Sequence, residues 1–283
     1  MTRSIAWLLM LLPIALKAQS APPIPAKAQQ PVTKLAKWPT LTPPEQERVT
    51  ALTGQFRKAD LALQKTAADQ IAAIGDGAIP ILQQKISDRD EAMNTQVFAL
   101  LDRMLGPQHA SLMANDSKSP KLALRSYLLL RMCRLVDPDL KPVLLVATKD
   151  KDEDNAFVAQ VGLLGLGEVS ALLPVIDGCR TNWVEIRALV AAVLPAARSE
   201  LLGRATAERI GNEKPPGQAA ALRVFRYLGK KEQAPLIRHH LQAEDNIVKK
   251  EAINAMRAIN GLEPIENLSV FDAIKMAKEW STK

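Results

Sequence analysis

Cysteine, histidine and aromatic side chains are all scarce in this chain, and each scarcity closes off a kind of chemistry. Two cysteines (Cys133, Cys179) and three histidines (His109, His239, His240) provide no CxxC, CxxCH, HxxxH or HExxH spacing in 283 residues. Those are the arrangements that zinc and attached haem need. His239 and His240 are adjacent, and neighbours on a helix point about 100° apart, so one ion cannot readily take both. No metal and no cofactor are expected; the pair reads instead as cations suited to a helix C-terminus. Also missing are GxSxG, the P-loop and the dinucleotide fingerprint. Gly162, Gly165 and Gly167 are spaced wrongly for a phosphate loop and fit close helix packing. Asp150, Asp152 and Asp154 begin like a calcium loop, but Asn155 replaces its glycine and Val161 its bidentate glutamate. With aromatics at 4%, the apolar residues are mainly Ala, Leu, Ile and Val, and alternation of β-branched residues is almost absent. An all-α chain is the expectation.

Residues 1–20 read as a signal peptide: Arg3, an apolar run from Ile5 to Leu16, then small residues at Ala18 and Ser20 ahead of Ala21. The run is short for a span, so no stable membrane span is expected after cleavage. Export to the periplasm or the exterior follows, with retention of the segment as an anchor left as the alternative. Removing Arg3 and Lys17 lowers the net charge from +7 to +5. That charge is +3 over residues 21–74, +2 over 75–135, −4 over 136–197 and +4 over 198–283. Such a distribution is not the single-sign stripe of a nucleic-acid groove, so nucleic acid is disfavoured as a partner.

Residues 21–43 are rich in Pro, Ala, Lys and Gln and read as an extended linker. Trp38 is its exception and is expected to dock on the helices that follow as a cap. Thr42, Pro43, Pro44 and Glu45 then form a helix start.

From there the chain repeats. Breaks fall near Gly75, Gly106, Val136-Asp137, Gly167, Pro195-Ala196, Gly229-Lys230 and Asn260-Gly261, at intervals of about 30 residues. A longer helix precedes each break. A shorter one follows most of them, then a polar turn such as Asp88-Arg89-Asp90. One hairpin of this size cannot hide its apolar face, but a stack of hairpins makes a continuous core. The expected fold is therefore an α-α superhelix, a HEAT-like or armadillo-type solenoid of about six to seven hairpins over residues 44–262. A capping helix within 263–283 would cover the last hairpin through Val270, Ile274, Ala277 and Trp280. Cys133 and Cys179 fall at opposite helix ends in this scheme, beyond disulfide reach, and are expected as buried free thiols.

The repeats resemble HEAT repeats, particularly the short kind of the phycobilisome lyases. The resemblance rests on the small residue at the turn, the start Ile79-Pro80-Ile81-Leu82, the Asp-rich turn at Asp88-Arg89-Asp90 and the Ala-rich second helices. It covers roughly Pro44 to Gly261. The valine-arginine pair that opens the second helix in that family is missing, with only Arg125 and Arg187 near its place. Bilin chemistry is disfavoured by export, and the DNA-glycosylase relatives by compartment.

In such a stack the second helices line the concave side. Arg125, Arg187, Arg223, Arg226, Lys249 and Lys250 are read as lying in or beside the first turns of successive second helices. A row of this kind could meet carboxylates or phosphates, or each arginine could tie neighbouring repeats through turn aspartates. With no catalytic motif found, the expectation is a non-catalytic exported scaffold or binding module that holds a protein or an envelope polymer, with an acidic partner left open. The alternative is an enzyme acting on an anionic polymer at the concave face.

Overall fold

The computed structural model describes residues 32–281, so the expected signal peptide and the first part of the linker lie outside the described residues. Fifteen α-helices and no strand occur among the described residues. Seven hairpins are formed: α1 (Pro43–Thr53) with α2 (Leu61–Ile74), α3 (Ile79–Lys85) with α4 (Glu91–Met104), and α5 (Ala110–Asp116) with α6 (Leu122–Leu135). Next come α7 (Lys141–Ala147) with α8 (Glu153–Gly165) and α9 (Leu172–Thr181) with α10 (Trp183–Val193). Last are α11 (Glu200–Asn212) with α12 (Pro215–Leu228) and α13 (Ala234–Ile237) with α14 (Asn246–Ile259), followed by α15 (Val270–Ser281). This is an all-α solenoid of the HEAT-like kind. None of these helices is long and apolar enough to cross a membrane.

The punctuation of the repeats is chemical. Aspartate side chains cap the backbone N–H groups that open α2, α4, α8 and α14, from Asp60, Asp90, Asp152 and Asp245. Asp152 therefore accepts from Asn155 N–H as an N-cap, a role that accounts for part of the calcium-like string. A short 3-10 turn precedes most first helices, starting at Asp76, Pro107, Pro138 and Val169, each 31 residues after the last. Helices α2, α8 and α14 run into left-handed glycines at Gly75, Gly167 and Gly261, where only a residue without a Cβ is unstrained. Helix α6 ends the same way on Val136, with φ of 48°, a β-branched residue in a glycine's place.

Packing divides the described chain into two units, with the boundary between Leu140 and Lys141. In the N-terminal unit α1 packs on α2 and α3, α2 on α4, and α5 on α6. Its core includes Val49, Ile71, Leu82, Val97, Leu101, Met113, Leu128 and Met132, and Tyr127 stacks on Phe98 with ring centroids 4.4 Å apart. In the C-terminal unit α8 packs on α7 and α9, α12 on α9, α11 and α14, and α14 on α15. Its core includes Leu164, Val175, Val190, Phe225, Val248 and Ile253. Each fully buried aliphatic or aromatic side chain contributes about 1.5–3 kcal/mol. Cys133 and Cys179 are buried free thiols, both pushed up to about 12 by burial.

The closing helix differs from expectation in its face. Ala273 and Ala277 meet α14, while Val270, Phe271 and Ile274 are exposed, Phe271 at 79%. Small alanines allow close approach to α14, and the larger side chains are left on the outside.

Candidate functional site

The six basic residues do not form one row. Arg125, Arg187 and Lys249 lie in the first turns of α6, α10 and α14, 62 residues apart, or twice the period. Lys250 follows Lys249 on α14, and both are half-buried with no ion pair among the described residues. Arg223 and Arg226 instead fall in the third and last turns of α12. The helix starts at Pro215, ahead of both; it lies against α9, the first helix of the preceding hairpin, and its later turns reach Trp183 at the start of α10.

These arginines are occupied within the fold. Arg223 Nε donates to Glu251 Oε1 (2.8 Å) and its Nη1 to the Cys179 carbonyl (2.8 Å) at the end of α9. Arg226 pairs with the other oxygen of Glu251, and both guanidiniums lie over the Trp183 ring at 5.3 and 5.2 Å. Arg226 is 5% exposed. Arg187 pairs with Glu266, and Arg125 Nη1 donates to the Ser119 carbonyl (3.1 Å). Related ties run through the N-terminal unit: Arg103 to Asp69 (2.7 Å), Arg57 to Asp90 (2.6 Å), and Arg131 to Asp102 and the Leu105 carbonyl. Arg57, Arg103, Arg131, Arg223 and Arg226 each join one hairpin to its neighbour.

A shallow groove of about 400 Å³ lies beside His239 and His240, lined also by Gln218, Glu244 and Asp245. His240 is pushed down to about 4, first by burial and then by His239, so it is a neutral buried ring rather than the expected helix-end cation. Among the described residues no three His, Cys, Asp or Glu side chains are grouped to hold a metal ion.

The most organised surface feature was not anticipated as a site. Residues 32–42, the end of the expected linker, form a strap laid across the turns that start the first helices of the N-terminal unit. Lys34 Nζ meets Asp137 Oδ2 (2.7 Å) and also Asp139, beside the third such turn. Both aspartates raise the Lys34 pKa, Asp137 first. Leu35 N–H donates to the Gln108 carbonyl (2.8 Å) at the second turn. Trp38 stacks on His109 there, with centroids 5.4 Å apart, and its Nε1 donates to Asp116 Oδ2 (3.0 Å). Pro39 and Leu41 cross the first turn so closely that a Cβ on Gly77 would stand 2.6 Å from Leu41 and 2.9 Å from the Pro39 carbonyl. Gly77, Gln108 and Asp139 are 31 residues apart, so the strap touches the same edge of three successive repeats.

Each contact has a local cause. His109 is wholly buried; its Nδ1 accepts from Gly106 N–H (3.0 Å), which places the ring proton on Nε2, 3.0 Å from Asp76 Oδ2. Asp116 ends α5, where the helix dipole disfavours an anion. Two donors offset this: Trp38 Nε1 and the buried Gln83 Nε2, both 3.0 Å from the same oxygen. The available sequence signal was a lysine and a tryptophan in a segment otherwise without core residues, and the acids Asp76, Asp137 and Asp139 recurring at the breaks.

No family model and no curated protein sequence matches the chain. Among solved structures, human deoxyhypusine hydroxylase in complex with glycerol is similar at 16% identity and a TM-score of 0.34, covering 84% of this chain and 97% of that one. The expectation that the chain is not an enzyme is corrected by this finding. The protein in that structure is a hydroxylase.

Proposed function

We propose that this protein is an exported binding module that holds a partner, foremost a protein, along the surface of its repeats. The observation that supports this is the strap: an extended segment held at equivalent positions on three turns, by a carboxylate pair, an imidazole face and a glycine floor. A surface that grips one extended polypeptide in register has the chemistry to grip another. The arginines favour a protein over an acidic envelope polymer as the occupant, because Arg187, Arg223 and Arg226 are already paired with Glu266 and Glu251. Export rests on the charged, apolar and small-residue pattern of residues 1–20.

The test places a photo-crosslinking residue at Gln108 in the full chain, expressed in its native cell. We expect a discrete product with an envelope protein, lost in the Asp137→Lys, Asp139→Lys variant, and a mature N-terminus at Ala21. A chain found only in the cytoplasm would refute export. Crosslinks only within the chain itself would refute the binding surface.

A further inference from the structure

We propose that residues 32–42 are the built-in occupant of a peptide track, and that the partner supplies an extended segment of the same chemistry: a lysine, a tryptophan four residues on and a leucine three further. The partner's segment takes the strap's place. This rests on the binding-module reading above and adds to it the identity of the surface and of what it recognises.

Three features of the molecule carry the inference. The first is register. Lys34, Trp38 and Leu41 are spaced by four and three residues and reach the third, second and first turns in order. A fully extended chain rises about 3.3 Å per residue, so the three-residue step reaches roughly 10 Å; the four-residue step bends at Ala36 and Lys37, and both suit helices packed about 8–10 Å apart. A segment of that spacing reads the repeat itself, and no single turn specifies it.

The second is complementarity without integration. The fully buried core begins at Val49, and no strap residue belongs to it. Apart from Thr42, whose carbonyl accepts from Gln46 N–H where the strap runs into α1, one backbone hydrogen bond among the described residues, Leu35 N–H to the Gln108 carbonyl, joins the strap to the helices. The hairpins therefore keep their core when the strap leaves. Beyond the glycine floor at Gly77, what the strap touches is polar: His109, Asp116, Asp137 and Asp139.

The third is the composition of the track. Asp76, Asp116, Asp137 and Asp139 gather carboxylates along this edge, and Lys34 neutralises only part of them. With the strap lifted, an acidic track with one aromatic seat remains, so a basic-aromatic segment fits and an acidic one does not. Because the strap is joined to α1 at Thr42, its local concentration is on the order of millimolar. The partner must exceed that threshold, which makes the strap a built-in gate on binding.

The probe is a labelled peptide of residues 32–43, read by fluorescence anisotropy against the full chain. Lys34→Glu with Trp38→Ala should open the track, and the peptide should bind this double variant at least ~10-fold tighter than the wild type. Adding Asp137→Lys and Asp139→Lys should abolish that binding. A double variant with native helical signal and cooperative melting that fails to bind the peptide would overturn the proposal. If it does not fold, native-state hydrogen exchange on the wild type decides. The Leu35 amide should exchange by local opening, with protection ~100-fold or more below that of core amides, whereas exchange only on global unfolding sinks the idea. A wild-type dimer with exchanged straps would make the occupant a second copy and overturn the partner's role. An envelope partner crosslinking away from the track would defeat this inference while leaving the binding-module reading intact. Peptide binding without any envelope partner would leave the track as a peptide site but defeat both the partner's role and the binding-module reading.

Discussion

Trp38 and Asp116 are 78 residues apart in the chain, yet the indole N–H donates to the carboxylate at 3.0 Å. The same ring roofs His109, so one side chain closes the second turn of the N-terminal unit. Replacing Trp38 with Ala removes a hydrogen bond to a charged acceptor together with a ring contact, and should cost about 1–3 kcal/mol. Phe at this position keeps the stack and should recover roughly half of that. Urea titrations of the three proteins measure the difference; equal midpoints would mean the strap contributes nothing to stability.

Glu251 holds Arg223 and Arg226 at once, all three largely buried near Trp183. Removing the acid leaves two guanidiniums without their counter-charge, and Glu251→Ala should cost about 3–5 kcal/mol. Replacing all three with apolar residues of similar volume should be close to neutral, because the desolvation of the charges disappears with them. A Glu251→Ala variant as stable as the wild type would show that the cluster is not a structural tie.

Two groups of the C-terminal unit set opposite pH dependences. Burial, then Asp152, Glu153 and Glu185, raise Asp154 to about 6. Its folded pKa exceeds its unfolded one, so the folded state binds the extra proton and stability declines as pH rises from about 4 to about 6. His240, pushed down to about 4, behaves oppositely: the unfolded state takes up the proton first, and stability is lost as pH falls from about 6.5 to about 4. Asp154→Asn should therefore stabilise the protein at pH 7.5 but not below pH 4, with the gain shrinking in high salt. His240→Gln should flatten the acid limb. Thermal melts across pH 4–8 test both signs, and an unchanged profile in either variant would contradict the corresponding assignment.

Val136 occupies the left-handed position that glycine fills after α2, α8 and α14. The strain of a β-branched residue there is about 1–2 kcal/mol, offset in part by glycine's greater chain entropy of about 0.5–1 kcal/mol. Val136→Gly should gain about 0.5–1 kcal/mol in urea unfolding. A loss would mean that the Val136 side chain contributes more by packing than its backbone costs.

The repeat was legible because its cause is local. Aspartate caps, prolines in first turns, glycines after helix ends and apolar faces recur with a 31-residue period, and every hairpin must bury the same kind of face. The edge that the strap crosses was less legible. Lys34 and Asp139 are separated by 105 residues, and nothing in a proline-rich stretch names the turn it will cross. Arg223 and Arg226 were assigned to a first-turn row because composition marks a helix start only loosely; the packing of α12 on α9 placed them against Trp183 and Glu251 instead.

By itself the sequence determined the helical class, the hairpin period, the two unpaired thiols and the breaks between hairpins, since all follow from short-range backbone chemistry and burial. Tertiary structure alone decided which arginines are held by acids, which face of α15 is left bare and where residues 32–42 lie. Those outcomes depend on distant groups meeting across stacked hairpins, and the energy of such a meeting exists only once the hairpins are packed.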